Sequence, residues 1–231
     1  MIRVVAFDLD DTLWAVDPVI RRAESRLADW LATELPGVAY DRDTVQALRE
    51  EVLKNYPDVA YRVTDFRLRL LETAMRYSGL SDDAAIHHSR EAMEIFLTAR
   101  NDIEFFDGAL QTIETLASSY ELGALTNGNA DIRRMGLDSH FSFAFSAEDV
   151  GAPKPAPDLF LRALAHTGVQ PHEMVYVGDD PKKDVDAANN VGLMTVWLRN
   201  PARPGPGETV PDQTIDDIGE LPKALTALQL L

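Results

Sequence analysis

The chain has 231 residues, 45% hydrophobic and 26% charged, which is the make-up of a folded globular protein with material for one large domain or two modest ones. Its 22 basic residues against 38 acidic ones give a formal net charge of −16, which argues against a nucleic-acid partner, because a phosphate backbone demands a basic face. The absence of cysteine excludes disulfides, thiolate metal sites and cysteine nucleophiles. No run is long and apolar enough to span a membrane. Met1–Val4 leads straight into a predicted strand without a signal-peptide pattern, so a cytoplasmic location is expected.

Residues 2–8 form the first predicted strand, a short β-branched run that ends on the carboxylates Asp8, Asp10 and Asp11. From Pro18 to Arg100 the pattern is helical. Ile20, Ala23, Leu27, Trp30 and Leu31 make one set; Val45, Leu48, Val52 and Leu53 a second; Phe66, Leu70, Leu71 and Met75 a third; Ala85, Ala92, Met93 and Phe96 a fourth. Breaks fall at Pro36-Gly37, at Tyr56-Pro57 and at Gly79–Asp82. From Asp107-Gly108 onward, helices predicted at 109–119, 130–137, 157–167, 183–191 and 217–229 alternate with strands. The strands are 122–126, a weak one at 143–146, then 174–178, 194–198 and a short one near 214–215. A Pro/Gly-rich surface loop is expected at Pro201–Gly207. The alternation predicts an α/β fold with a doubly wound parallel sheet. Its core is 1–15 plus 102–231, and an α-helical, four-helix-bundle-like cap domain at 16–101 is inserted into it.

Four polar signals fall at predicted strand ends. The first is Asp8-Leu9-Asp10-Asp11-Thr12. Two carboxylates this close repel unless a cation joins them, and a divalent ion with oxygen ligands such as Mg²⁺ is the simplest solution. The second is Thr126-Asn127-Gly128-Asn129, the third Lys154-Pro155, and the fourth Gly178-Asp179-Asp180 with Asp184. Singly, each has a plainer reading as a helix cap, a solvated lysine or an acidic turn. Together, in this order and each where an α/β sheet binds its ligands, they mark a site.

The set resembles the haloacid dehalogenase superfamily, in particular its phosphatases. Asp8, Asp10 and Thr12 match its D-x-D-x-T motif; Thr126 and Lys154 match the second and third motifs; Gly178, Asp179 and Asp184 match the fourth. The resemblance implies a Rossmann-like core, a C1-type helical cap and Mg²⁺-dependent phosphomonoesterase activity. Asp8 is then the nucleophile, since a carboxylate is already ionised at neutral pH and gives an aspartyl-phosphate. Asp10 protonates the leaving group and activates water. Mg²⁺ is held by Asp8, Asp179 and the backbone carbonyl of Asp10. Thr126 and Lys154 cradle the transferring oxygens. Asp180 and Asp184 orient these groups from behind, and Thr12 organises the loop.

A narrower resemblance, carried by Phe7–Trp14, Val63–Arg67, Thr126–Ala130 and Gly178–Val185, is to the branch acting on flavin mononucleotide and 5-amino-6-(5-phosphoribitylamino)uracil in riboflavin biosynthesis. It points to Asn127, Gly128, Trp14 and Arg67 as substrate-binding residues, with Arg21, Arg62 and Phe66 as further candidates for holding a flat ring. The five histidines receive no role. The expected partner is a small phosphate ester, with no nucleic acid and no membrane, and the protein is expected as a monomer or homodimer. The alternatives are another activity of the same fold (phosphoglycolate or nucleotide phosphatase, sugar-phosphate mutase, haloacid dehalogenase) and a non-catalytic phosphate-binding protein.

Overall fold

A computed structural model of the chain describes residues 1–201 and 205–230. They fall into two compact units, one made of Met1–Val16 with the chain from Ile103 onward, the other of Asp17–Asp102.

The second unit is helical. Its helices are α1 (Val16–Glu34), α2 (Arg42–Asn55), α3 (Val63–Tyr77) and α4 (Asp82–Arg100). On α1, Val19, Ala23, Leu27 and Leu31 recur every fourth residue and are buried, the stripe expected of an amphipathic helix. Leu27 and Leu31 join Leu71, Met75, Ala92 and Phe96 of α3 and α4 in one apolar cluster. The start of α2 is capped by Asp41, whose side chain accepts from the Asp43 and Thr44 N–H groups at 3.0 Å. Ser81 caps α4 in the same manner.

The first unit is built on a six-stranded parallel sheet, ordered β3-β2-β1-β4-β5-β6. The strands are β1 (Val4–Phe7), β2 (Glu121–Thr126), β3 (Phe143–Ser146), β4 (Met174–Gly178), β5 (Met194–Leu198) and β6 (Gln213–Ile215). All four residues of β1 are buried, as a parallel strand covered on both faces requires. Val4 pairs with Glu121 on one side and Met174 on the other. Strand order reverses at β1, so the site is expected beyond the carboxyl ends of β1, β2 and β4. The helices of this unit include α5 (Ala109–Ala117), α6 (Ala147–Val150), α7 (Asp158–Thr167), α8 (Ala187–Val191) and α9 (Leu221–Leu228). Phe160 of α7 stands edge-on to Tyr176 of β4 at 4.9 Å between centroids. Gly123 of β2 lies directly under the Phe143 ring; a Cβ there would stand 2.0 Å from Phe143 Cζ.

Three predicted elements differ from the structure. The helix at 130–137 is a single turn: Asp131 accepts from the Arg133 N–H, but Gly136 at φ 73° ends the winding before a helix can propagate. The helix at 183–191 begins instead as π-helical winding over Pro181–Asp186 and continues as the short α8. The helix at 217–229 splits into a 3-10 turn, Ile218–Glu220, and α9, with Pro222 in the first turn of α9. Of the predicted loop Pro201–Gly207, residues 202–204 lie outside the described residues.

Candidate active site

Asp8 directly follows β1. Its N–H donates to Val177 O at 2.8 Å and carries the ladder one residue past the strand, and the residue is buried. Lys154 meets it from the loop before α7. The Lys154 ammonium donates to Asp8 Oδ1 at 2.7 Å, Asp184 Oδ1 at 2.8 Å, the Leu125 carbonyl at 3.0 Å and the Tyr176 hydroxyl at 2.6 Å. The lysine is buried and its position is set on every side. Its backbone is fixed too. Asn127 accepts from the Lys154 N–H at 2.7 Å and donates to the Lys154 carbonyl at 2.9 Å.

Asp179 and Asp184 come from the end of β4 and the π-helical turn after it. That winding drops the Asp184 carboxylate onto Gly178, where a Cβ would lie 2.5 Å from Asp184 Cγ, so the glycine is a steric requirement. Asp184 Oδ2 accepts from the Asp180 N–H at 2.9 Å, while Asp180 Oδ1 accepts from the Lys182 and Lys183 N–H groups at 3.0 Å. Asp179 is held by Asn200 on its carboxylate, 3.1 Å, and by the Trp197 indole on its carbonyl, 3.1 Å.

The loop after β1 is tightly wound. Asp11 has φ 63°, a left-handed conformation that non-glycine residues seldom adopt; it is held by its N–H on Trp14 O and by Val16 N–H on its side chain. Thr12 is buried, and its hydroxyl stands 3.4 Å from Asp8 Oδ2. Thr126 Oγ1 accepts from the Gly128 N–H at 2.9 Å, which turns the hydroxyl group at the end of β2.

One cavity of about 180 Å³ collects these groups. Asp8, Asp10, Thr126, Lys154 and Asp179 line it, with Asn127, Gly128, Asp180 and Asp184 also in its wall. A larger cavity of about 390 Å³, lined by Phe106, Leu198 and Arg199 among others, shares Asp11 with it but holds none of the strand-end motifs save that residue.

Electrostatically the site is short of positive charge. The carboxylates of Asp8, Asp179 and Asp184 lie within 4.8 Å of one another, against one ammonium from Lys154. Burial pushes the Asp8 carboxyl up to about 8; Lys154 pulls the other way, while Asp184 and Asp10 add repulsion. For Lys154, burial disfavours the charge, but Asp184 and Asp8 outweigh it and hold the ammonium well above the usual lysine range. Buried oxygen donors with excess negative charge fit a hard divalent cation. Asp8, Asp179 and Asp184 each bring a carboxylate oxygen to where such an ion could sit.

Three expected substrate contacts, Trp14, Asn127 and Gly128, need correction. Trp14 is fully buried; its indole N–H donates to Asp10 Oδ1 at 2.9 Å and its ring stands edge-on to Phe105, so no face remains for stacking on a ligand. Both polar atoms of the Asn127 amide engage the Lys154 backbone, which makes it a clamp on that loop. The Gly128 N–H likewise serves Thr126. Arg67 belongs to the helical unit, where its guanidinium lies 3.7 Å from the Phe96 ring centroid and pairs with Glu24 at 2.8 Å. In the same unit Phe66 is buried, Arg62 pairs with Asp65 at 2.9 Å, and Arg21 pairs with Asp17.

Four participants were missed in the sequence: Tyr176, Asn200, Trp197 and Lys183, the last lining the cavity with its ammonium 3.5 Å from Asp180. Tyr176 carried the one available signal, a phenol in the middle of a buried strand, whose hydroxyl must find a partner.

A parallel sheet with this carboxylate–lysine cluster at its strand ends and a helical insertion after the first strand is the build of an enzyme with a Rossmann-like α/β core. The chain belongs to the haloacid dehalogenase-like hydrolase family, whose model matches residues 2–192. It is 34% identical over 199 residues to the 5-amino-6-(5-phospho-D-ribitylamino)uracil phosphatase YigB of Escherichia coli (strain K12), covering 86% of this chain and 84% of that one. It is 30% identical over 234 residues to a glyceraldehyde 3-phosphate phosphatase of Methanopyrus kandleri, covering 96% of both. A crystal structure described as a 2-haloacid dehalogenase from Pseudomonas syringae pv. Tomato DC3000 superposes with a TM-score of 0.93 at 37% identity, over 98% of this chain and 99% of that one. Among the described residues, no helix is long and apolar enough to cross a membrane.

Proposed function

We propose that the protein is a phosphomonoesterase in which Asp8 takes the phosphoryl group from a small phosphate ester and passes it to water. The observation that carries this reading is the pairing of Lys154 with one oxygen of Asp8 inside a cluster of three buried carboxylates. Lys154 engages Oδ1, so Oδ2 is the oxygen that attacks phosphorus. As the Asp8–phosphorus bond forms, the bond from phosphorus to the ester oxygen breaks, and Asp10 supplies the proton that oxygen needs. Asp10 then takes a proton from the water that attacks the aspartyl-phosphate, releasing phosphate and restoring Asp8. Thr126 donates to the phosphoryl oxygens as charge builds on them, while Lys154, whose N–H groups are taken up by Asp8, Asp184, Leu125 and Tyr176, contributes its positive charge and holds the nucleophile. Mg²⁺ held by Asp8, Asp179 and the Asp10 carbonyl would neutralise charge between nucleophile and phosphate.

A haloacid dehalogenase reading has the structural neighbour in its favour. The residues of the site weigh against it. A dehalogenase needs the Asp8 nucleophile but neither a metal site nor an acid two residues on, and Asp10 and Asp179 beside Asp8 would have no task in it. For the substrate we favour a ribityl phosphate carried on a flat heterocycle, flavin mononucleotide or the phosphoribitylaminouracil named for the Escherichia coli relative. The segment inserted between Asp10 and Thr126 serves in this reading as a cap that selects the substrate. The test is phosphate release from a panel of esters, with Mg²⁺ and with chelator, beside halide release from chloroacetate. Mg²⁺-dependent phosphate release with a preference for ribityl phosphates is the expected result. Halide release without phosphate release would overturn the reading, and release spread evenly over the esters would remove the ribityl preference alone.

A further inference from the structure

We infer that Trp14 is a positioning residue for proton transfer: its indole N–H aims the Asp10 carboxyl group at the leaving oxygen. The inference rests on the phosphatase reading above and adds a residue to it.

Asp10 sits on the loop that leaves β1, partly exposed, in the wall of the catalytic cavity. A carboxylate in such a place samples several rotamers unless something selects one. Trp14 is suited to that task because it cannot move. Its side chain is 0% exposed, and its ring stands edge-on to Phe105 with 6.0 Å between centroids. Its carbonyl accepts from the Asp11 N–H at 2.8 Å, and the adjacent Leu13 carbonyl accepts from the Phe106 N–H at 2.9 Å. The indole is therefore anchored both to the loop after β1 and to residues 105–106, where the chain re-enters this unit. From that fixed frame the N–H reaches Asp10 Oδ1 at 2.9 Å. A buried indole N–H has a single donor and no acceptor, so its direction is set by the ring alone.

The consequence for the chemistry is an atom assignment. With Oδ1 held by the indole, the transferable proton resides on Asp10 Oδ2. The Oδ2–H bond breaks as the ester oxygen gains its proton and leaves phosphorus. In the second half-reaction Oδ2 recovers a proton from the attacking water. Trp14 touches neither substrate nor phosphorus, and its effect passes through the orientation of Asp10.

This separates substrates by leaving group. An alkoxide must be protonated to leave; a nitrophenolate leaves without help. The experiment compares kcat/KM, which reports events up to the first phosphoryl transfer, for flavin mononucleotide and for p-nitrophenyl phosphate in the full-length protein with Mg²⁺. Trp14→Phe keeps an aromatic ring and removes the N–H. It is expected to lower kcat/KM for the alkyl ester by about 10-fold or more, within the range that general acid catalysis supplies, and to change the nitrophenyl ester by about 2-fold at most. Incorporating benzothienylalanine at position 14 preserves the bicyclic shape without the N–H, and gives the same comparison if the phenylalanine variant does not fold. An equal loss on both esters in the benzothienyl protein overturns the inference and leaves Trp14 a packing residue. No loss on either ester in a folded variant also overturns it. Absence of phosphate release by the wild-type protein from both esters overturns the phosphatase reading itself, a result distinct from either.

Discussion

The two compact units place their charges differently. In the helical unit, ion pairs such as Arg76–Asp82, 2.7 Å apart with the Asp82 side chain 81% exposed, run along helix faces, and Glu72 and Arg100 are its buried charges. In the sheet unit, beside surface pairs such as Arg199–Asp216, a charged cluster lies inside: the side chains of Lys154 and Asp184 are each 2% exposed and that of Asp8 11%. Surface pairs of the first kind contribute little, because water and salt screen them. The second kind is costly to build and is retained where chemistry requires ions out of water. The difference teaches where function lies: the sheet unit gathers three carboxylates and a lysine in one buried cluster at its strand ends, while the helical unit strings its ion pairs along helix faces.

Three changes sharpen or break this contrast. The largest effect is expected from Lys154→Met, which leaves Asp8 and Asp184 buried without their cation. Phosphate release should be lost, and chemical denaturation should record a stability loss of about 3–5 kcal/mol; a variant as stable as wild type would mean that the cluster is not under electrostatic tension.

A second effect concerns pH and metal. Asp8 is pushed up to about 8 in the folded protein, above the ordinary carboxylate value it has when unfolded. Between those values the folded state binds the extra proton, so metal-free stability should fall as pH rises from about 5 to about 8. Mg²⁺ removes the reason for that fall. Thermal melts with Mg²⁺ and with chelator should therefore diverge more at the higher pH, and a gap that is constant or shrinking with pH would contradict the sign.

The smallest effect is expected at the surface pair. Asp82→Asn should change stability by less than about 1 kcal/mol, in melts that also lose sensitivity to added salt. A loss comparable to that of Lys154→Met would erase the distinction between the units.

Much of this was legible in the sequence, for a physical reason. A buried parallel strand is a short apolar run, and a carboxylate or lysine at its end stands out against it. Asp8, Thr126 and Asp179 were read in that way, and the structure gathers them with Asp10 and Lys154 around one cavity. What escaped were partners whose meaning lies in contacts between segments distant in sequence. Tyr176 looks like one more core aromatic until Lys154 arrives at 2.6 Å. Asn200 is an ordinary loop residue until it meets Asp179 across the sheet end. Trp14 was misread for a related reason: an aromatic near a motif suggests stacking on a ligand, and only the fold reveals that Phe105 and Asp10 enclose it. The helix expected at 130–137 failed on a local feature, the positive φ of Gly136, which periodicity does not register.

The central claim is that Asp8 carries the phosphoryl group, and the most direct measurement is phosphate release by Asp8→Asn in the presence of Mg²⁺. The exchange keeps the size of the side chain and removes a buried negative charge, so the variant should melt at or above the wild-type temperature while releasing no phosphate above background. A folded Asp8→Asn protein that still turns over the ester would contradict the account and move the nucleophile elsewhere.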